Sequence, residues 1–269
     1  MIRRLLLLAL AGLVSGNLAA QSTYLGFDRN QYPGDENLKV LRETFAFLGY
    51  WLNTPPGETH QEWRGKRLAV ESAGFGFLVL FNGRLYAQLK NEENAARIGK
   101  KDAAEAAASA RREGFPGQTV IFLDQEEGGR MLAEQRVYIH AWVDGVTAAG
   151  FRAGVYCSGM APEGTGESIV TAEDIRQNAA GRKISYFVTK DACPPSPGCT
   201  FSPHPPRPVE SGVDFADLWQ FAQSPKRPDI TAACASSYSR DGECYAPGTK
   251  LHVDLDTATR ADPSGGRTR

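Results

Sequence analysis

Several features that would indicate particular partners are missing from this sequence. Its 30 Lys and Arg residues are matched by 31 Asp and Glu, and no basic stripe accompanies that balance. This argues against nucleic acid as a partner and against a polybasic contact with membranes. Beyond the N-terminal region, no segment reaches the ~20 apolar residues that a membrane-spanning helix needs. The glycine-rich turns also lack the lysine of a phosphate-binding loop.

The first twenty residues have the pattern of a signal peptide. A short basic segment (residues 1–4) precedes an apolar run (5–14), and small residues (15–20) follow it. That order predicts cleavage after Ala19 or Ala20, and removal of residues 1–20. The protein is therefore expected to be secreted or periplasmic.

The five cysteines all follow this segment, which suits an oxidising compartment. Their spacing and their lack of histidine neighbours do not suit a zinc site. Two pairs each flank a short loop, so the sequence predicts Cys193–Cys199 and Cys234–Cys244 disulfides. The remaining Cys157 lies in an apolar strand pattern and is predicted to be a buried free thiol.

Strand-like and helix-like runs alternate through residues 21–261. Helices are predicted at 38–45, 61–72, 94–113, 133–149 and 172–179, and strands at 24–28, 45–52, 76–81, 119–124, 152–157, 184–189, 216–221 and 251–256. This order and length predict an α/β fold, a single (β/α)8 TIM-like barrel of eight parallel strands. A doubly wound open sheet is the main alternative. The loops 193–208 and 224–248 should make the C-terminal part irregular and disulfide-pinned, and residues 262–269 are expected to form a disordered tail.

The fourth predicted strand ends in clustered carboxylates. Asp124 and Glu126 are two residues apart, so in an extended chain they project the same way, whereas Glu127 points away. Paired carboxyl groups at one spot are typical of enzymes that cleave glycosidic bonds. The alternative is a solvated, charged strand end without a function.

Acidic residues also mark the predicted ends of the first and eighth strands. Asp28 ends the first, and Asp254 and Asp256 end the eighth. Since the C-terminal ends of barrel strands share one face, these carboxylates should converge with Asp124 on one cleft. This convergence favours a functional site.

Four short motifs, in order, resemble the family 25 lysozymes. They are the Gly-Phe-Asp opening at 26–34, the Asp-x-Glu motif at Asp124 and Glu126, the Leu-Trp-Gln-Phe segment at 218–221, and the Val-Asp-Leu-Asp segment at 253–256. A closer resemblance is to a glycoside-hydrolase-like branch of that superfamily, found in secreted bacterial proteins and of undefined function. The segments at 48–52 and 150–156 carry that second resemblance. The chain departs from the lysozyme pattern at Arg29 and Asn30, at Asp256 and at the extra Glu127.

The resemblance implies roles for particular side chains. Glu126 would be the general acid, its pKa raised by the charge of Asp124. Asp124 would stabilise developing positive charge or position a substrate amide. The remaining implied site residues would bind the sugar: Asp28, Asp254, Asp256, and the aromatic platforms Trp219 and Tyr50, with Trp51 as the alternative to Tyr50.

Three functional hypotheses follow. The first is hydrolysis of a β-linked, N-acetylated polysaccharide such as peptidoglycan, the second a non-catalytic glycan-binding barrel, and the third a purely structural secreted domain. The protein is expected to act as a monomer without a cofactor. A metal site at His252, Asp254 and Asp256 is not favoured, because no third type of ligand lies nearby.

Overall fold

The computed structural model describes residues 22–162 and 168–268. The predicted signal peptide lies outside the described residues. Eight strands pair in chain order around one closed barrel, which confirms the TIM-like architecture over the open sheet. The strands are β1 (Tyr24–Asp28), β2 (Phe47–Trp51), β3 (Gly76–Asn82), β4 (Val120–Asp124), β5 (Arg152–Ser158), β6 (Ser185–Thr189), β7 (Leu218–Ala222) and β8 (Asp254–Ala258).

Six α-helices cover part of the barrel in the described residues. They are α1 (Leu38–Arg42), α2 (Arg67–Ser72), α3 (Tyr86–Leu89), α4 (Glu92–Glu113), α5 (Ala133–Ala148) and α6 (Thr171–Gln177). The long α4 begins where the Asn91 side chain accepts a hydrogen bond from the Asn94 N–H, and it ends at Gly114 in a left-handed conformation. Its buried face is mostly alanine, and Gly99 lets α4 approach the backbone of α5 closely. Within the described residues, no helix has the length and apolar character to cross a membrane.

The direction of β8 differs from the prediction of eight parallel strands. Strands β1 to β7 are parallel to their sequential neighbours, but β8 is antiparallel to both β7 and β1. After β7 the chain forms a loop with a short 3-10 helix (Ala232–Ser237) and no α-helix returns it to the opposite end of the barrel. The Ser224 N–H donates to Asp254, which holds this loop at the end where β7 stops. The last strand therefore enters from that end.

The predicted disulfide pairing is wrong. The bonds are Cys193–Cys234 and Cys199–Cys244, with Cα–Cα distances of 5.8 and 5.5 Å, and each joins the loop after β6 to the loop after β7. The two loops pack on each other, as shown by the hydrogen bond from the Cys193 N–H to the Ile230 carbonyl at 2.8 Å. The disulfide pairing therefore follows the packing of the two loops and not the short spacing of the cysteines in the sequence. Cys157 is free and buried, as predicted.

The last residues are packed, in contrast to the disordered tail that the sequence indicated. The Asp262 side chain accepts a hydrogen bond from the Phe77 N–H at 2.9 Å. The Ser264 N–H donates to the Phe77 carbonyl, and the Ser264 carbonyl accepts from the Val120 N–H. The tail therefore lies across the first residues of β3 and β4 and supplies partners for their backbone groups.

Candidate active site

A cavity of about 130 Å³ opens at the end of the barrel where β1 and β4 finish. Four carboxylate side chains line it: Asp28 at the end of β1, Asp124 at the end of β4, Glu126 just beyond β4, and Asp254 at the start of β8. The structure thus brings together residues that are more than 200 positions apart. Asp254 reaches this face because β8 is antiparallel, so that its first residue lies beside Asp28, the last residue of β1.

Two glycines make room for this arrangement. A Cβ atom at Gly49 on β2 would lie 2.5 Å from the Cβ of Asp28, and a Cβ atom at Gly83 would lie 2.4 Å from the Asp124 carbonyl oxygen. Both distances are shorter than side chains tolerate. The lack of a side chain at Gly49 therefore leaves room for Asp28, and the lack of one at Gly83 leaves room for the backbone of Asp124.

An amide connects the carboxylates of neighbouring strands. The Gln220 Nε2 on β7 donates to Asp28 at 2.8 Å and to Asp254 at 3.3 Å. The Gln220 carbonyl oxygen accepts from the Tyr156 hydroxyl at 2.7 Å. Burial and the charges of Asp124, Glu126 and Asp28 hold the pKa of Tyr156 well above its usual range, so this hydroxyl remains a donor.

The first carboxyl pair is formed by Asp28 and Asp256. Asp256 is fully buried, and neither of its side-chain oxygens has a hydrogen-bond partner among the described residues. Burial raises the pKa of Asp28 to about 6, opposed by the hydrogen bond from Gln220. Burial and the Asp28 charge raise the pKa of Asp256 well above its ordinary value. Both effects favour the protonated, uncharged form of Asp256.

The second pair is formed by Asp124 and Glu126. Asp124 is buried, and burial together with the Glu126 charge raises its pKa well above the ordinary range. Burial also raises the pKa of Glu126, whereas the hydrogen bond from Asp124 lowers it. The expected cause was therefore wrong, because the main source of the raised Glu126 pKa is desolvation and not the charge of Asp124. Asp124 is therefore neutral over a wider pH range than an exposed aspartate.

Glu127 points away from the cavity, as strand alternation indicated. Its carboxylate accepts hydrogen bonds from the Tyr86 N–H at 2.6 Å and from the Gln135 side chain at 2.9 Å. It therefore ties the segment after β4 to α3 and to the first turn of α5.

Three of the implied sugar-binding residues do not line the cavity. Tyr50 is fully buried outside it, with its hydroxyl hydrogen-bonded to the Trp63 carbonyl and to Glu113. Trp219 is fully buried and donates its indole N–H to the Lys190 carbonyl. Asp256 is buried and reaches the cavity only through Asp28. Trp51, the alternative to Tyr50, is the aromatic residue of β2 that lines the cavity.

Sequence reasoning missed several polar residues of the site. Tyr156, Gln220, Gln223 and Asn30 all line the cavity. For Gln220 a signal was present, because it is the one amide in the apolar segment 218–222 and alternates with Trp219. Tyr156 is paired with Asp124 across β4 and β5, which the sequence alone does not show.

No cluster of three or more His, Cys, Asp or Glu side chains within the described ranges has the arrangement to hold a metal ion. His252 is exposed at the rim, next to Asp254 but apart from the buried Asp256. The chemistry that this cavity offers is therefore that of carboxyl groups, a phenol and amides.

One family model matches part of the chain. Residues 59–190 match the model of the Rv2525c-like, glycoside hydrolase-like domain, a range that includes Asp124 and Glu126 but neither Asp28 nor Asp254. No protein with a curated description matches the chain.

Solved structures that share the fold include three that are described here in turn. An uncharacterised protein from B. stearothermophilus is 22% identical with a TM-score of 0.55, and the match covers 87% of this chain and 95% of that one. The Tat-secreted protein Rv2525c of Mycobacterium tuberculosis, solved with L-tartrate, is 12% identical with a TM-score of 0.52 and coverages of 88% and 95%. GHIP of Streptococcus pneumoniae, a glycosyl hydrolase 25, is 11% identical with a TM-score of 0.51 and coverages of 87% and 86%. The chain thus has the same barrel fold as these three proteins, and residues 59–190 match the Rv2525c-like, glycoside hydrolase-like domain.

Proposed function

We propose that this protein is a secreted hydrolase that cleaves β-linked, N-acetylated glycans of the peptidoglycan type. The observation that carries the proposal is the convergence of Asp28, Asp124, Glu126 and Asp254 in one cavity. Buried carboxylates that repel each other destabilise the folded state, and such groups concentrate where catalysis uses their altered protonation.

Glu126 is the best candidate for the general acid. It is the most exposed of the four carboxyl groups, at the mouth of the cavity, where a glycosidic oxygen can approach it. Desolvation raises its pKa, and a bound sugar that excludes water would raise that pKa further. Both effects favour the protonated form that a general acid needs.

Asp124 would accept a hydrogen bond from the N-acetyl amide of the substrate. An amide N–H that donates to Asp124 favours the ionised carboxylate, because hydrogen bonds to a charged form stabilise it. Substrate binding would then move the shared proton from Asp124 to Glu126. The protonated acid would form only when an N-acetylated sugar is present, which accounts for the substrate class proposed here.

The proposed export rests on three supports. The N-terminal residues have a signal-peptide pattern, the protein has two disulfides, and the similar fold of Rv2525c belongs to a Tat-secreted protein. Disulfides persist in oxidising compartments and are rare in the cytosol.

A non-catalytic glycan-binding barrel is the second candidate function. It is favoured by the raised pKa of Asp124, because a neutral Asp124 does not stabilise positive charge that develops on a sugar. If bound sugar leaves the proton on Asp124, the cavity binds the glycan without cleaving it.

The variants Glu126→Gln and Glu127→Gln distinguish these functions. Release of reducing ends from peptidoglycan and from chitin-type oligosaccharides is measured for the wild type and for both variants. Loss of a well-placed general acid lowers the rate by about 10²–10⁴-fold, so Glu126→Gln should nearly abolish cleavage and retain binding. Glu127→Gln is the matched control and should retain most activity, since Glu127 faces Tyr86 and Gln135. A wild type that binds these glycans but releases no reducing ends supports the binding function.

A further inference from the structure

A separate cavity of about 550 Å³ borders the loop that follows β2. Pro56 of that loop lines the candidate active site, whereas its neighbours Pro55 and Gly57 line the larger cavity. Another part of the lining is one face of α4, formed by Glu105, Ala108, Ser109 and Arg112. One loop therefore contributes to both cavities, and α4 contributes only to the larger one.

Three arginines line this larger cavity, which is called the arginine cavity below: Arg64, Arg84 and Arg112. Arg84 is held by the fully buried Asp102 of α4, which accepts from its Nε and Nη2, both at 2.8 Å. Asp102 also accepts from the Tyr138 hydroxyl at 3.0 Å. The third nitrogen of Arg84, Nη1, has no acceptor among the described residues, and a third of the side chain is exposed. A buried carboxylate thus fixes Arg84 at the wall of the cavity with one donor left for a ligand.

The other charged groups of the arginine cavity are not paired with each other. Arg64 is exposed and has no hydrogen bond or ion pair with any described residue. Arg112 is also exposed, and its Nη2 donates to the Ser109 hydroxyl at 2.8 Å. Within the described ranges, neither Glu58 nor Glu105 forms an ion pair with these arginines. Charges of both signs therefore face one cavity and remain available to a ligand.

This charge pattern indicates which ligand chemistry suits the cavity. Guanidinium groups bind carboxylates with paired hydrogen bonds, and carboxylates bind ammonium groups. Glu58 keeps one oxygen for this purpose, because only its Oε1 accepts from Gln31. A polyanion would be repelled by Glu58 and Glu105, and a neutral sugar would cover the charges without pairing them. A short peptide that carries both carboxylate and ammonium groups pairs with both kinds of side chain.

The arginine cavity is close to the candidate active site. Asn82, which lines it, is the residue of β3 that pairs with Asp124 on β4. Neighbouring strands lie about 5 Å apart, so the two cavities meet where these strands end. An extended peptide spans about 3.3–3.6 Å per residue, so four residues reach on the order of 13 Å. A peptide that starts near Asp124 can therefore extend into the arginine cavity.

The chemistry of peptidoglycan places a peptide at that starting point. Its peptide is attached to the ring carbon next to the one that carries the N-acetyl group. Under the proposed function that N-acetyl group donates to Asp124, so the peptide begins beside Asn82.

We propose that the arginine cavity binds the peptide that branches from the glycan, with Arg64, Arg84 and Arg112 as ligands for its carboxylates. This inference rests on the proposed function, and it narrows the substrate from N-acetylated glycans in general to those that carry peptides. Peptidoglycan with intact peptides is then the preferred substrate, ahead of chitin.

The test measures peptide binding by calorimetry, which does not depend on cleavage. The probe is acetyl-Ala-Glu-Lys-Ala with a free C-terminus, and the comparison peptide has Gln in place of Glu and an amidated C-terminus. The double variant Arg64→Ala and Arg112→Ala should keep the fold, because both side chains are exposed. Loss of two charge-assisted contacts should weaken binding of the probe by about 10-fold or more. The comparison peptide should bind the wild type more weakly by about the same factor.

Arg97→Ala is the matched control. Arg97 is exposed on the same helix and also donates to a side chain three residues earlier, Asn94, but it does not line the arginine cavity. Its replacement should leave the affinity for the probe unchanged. If the double variant does not fold, Arg112→Gln alone should weaken binding by about 3-fold, as expected for one exposed charged contact.

The proposal is overturned if the wild type does not bind the probe, or if the folded double variant binds it as tightly as the wild type does. Cleavage is scored separately, on peptidoglycan with intact peptides and on the same glycan after an amidase has removed them. The wild type should prefer the intact form, and the double variant should lose that preference. A wild type that binds the probe but cleaves neither form supports the peptide site and refutes hydrolysis, so the two failures are distinguished.

Discussion

The two halves of the barrel are closed by different means. Each of β1 to β5 is followed by at least one α-helix, among them the long α4 and α5. After β6 and β7 the described chain forms loops with 3-10 helices, and two disulfides join those loops to each other. Both halves bury apolar strands, but helices cover the first half, whereas covalent links between loops stabilise the second.

Both halves contribute to the same cavity. Asp28, Asp124 and Glu126 come from the helix-covered half, whereas Gln220 and Asp254 come from the loop-covered half. Gln220 donates to carboxylates of both halves. The difference teaches that the geometry of the site depends on two unlike kinds of stabilisation, which can be disturbed independently.

The largest effect on stability is expected from a cavity in the helix-covered half. Trp142 on α5 is fully buried, with its ring 6.4 Å from that of Phe81. Trp142→Ala should lower the free energy of unfolding by about 3–5 kcal/mol. Denaturant unfolding with and without reductant measures this loss, which should be the same in both conditions. A loss that appears only under reduction would contradict the division between the halves.

A somewhat smaller effect is expected from the loop-covered half. Replacing both Cys199 and Cys244 by Ser should cost about 2–4 kcal/mol, because the bond closes a loop with a sequence separation of 45 residues. Reductant should destabilise the wild type by more than this, because it also opens the Cys193–Cys234 bond, and Cys157→Ala serves as a control without a disulfide change. Peptide mapping under non-reducing conditions must show Cys193 linked to Cys234. A Cys193–Cys199 peptide would refute the link between the two loops.

The smallest effect on stability is expected from Asp28 and Asp256, the carboxylates on the neighbouring strands β1 and β8 where the two halves meet. Folding raises the pKa of Asp28 from 3.8 to about 6 and raises that of Asp256 well above its ordinary value. The folded state therefore binds more protons than the unfolded state above pH ~4, so the stability from these groups is fully present below that pH and is lost as pH rises through 6. For Asp28 the loss is on the order of 2–3 kcal/mol.

Asp256→Asn should remove part of this penalty, because its amide can donate to Asp28 without carrying charge. The expected gain is about 1–2 kcal/mol at pH 7.5, with little gain at pH 4. Thermal melts of the wild type and the variant at both pH values measure the difference. An equal effect at both pH values would show that the buried pair does not titrate in this window.

Much of the site was predictable from local patterns. The two-residue repeat of a strand places Asp124 and Glu126 together and turns Glu127 away, and the structure has both features. The position of Asp28 at a strand end also follows from the sequence, because an apolar run stops there.

The remaining features depend on contacts distant in sequence. All five residues of β2 are buried, so alternation does not reveal whether Tyr50 or Trp51 faces the cavity. The pattern of β8 is the same in either direction along the chain, and its antiparallel course follows from the path of the preceding loop. The disulfide pairing likewise depends on how two loops pack, which the spacing of four cysteines does not encode.

The antiparallel course of β8 has a practical consequence for experiments with immobilised protein. Tyr24 at the start of β1 is paired with Ala258 at the end of β8, and Ser264 lies against the first residues of β3 and β4. Both described ends of the chain therefore emerge at the base of the barrel, opposite the carboxylates. A linker fused at either end would orient the cavity away from a solid support, so immobilised protein should present it freely to insoluble glycan.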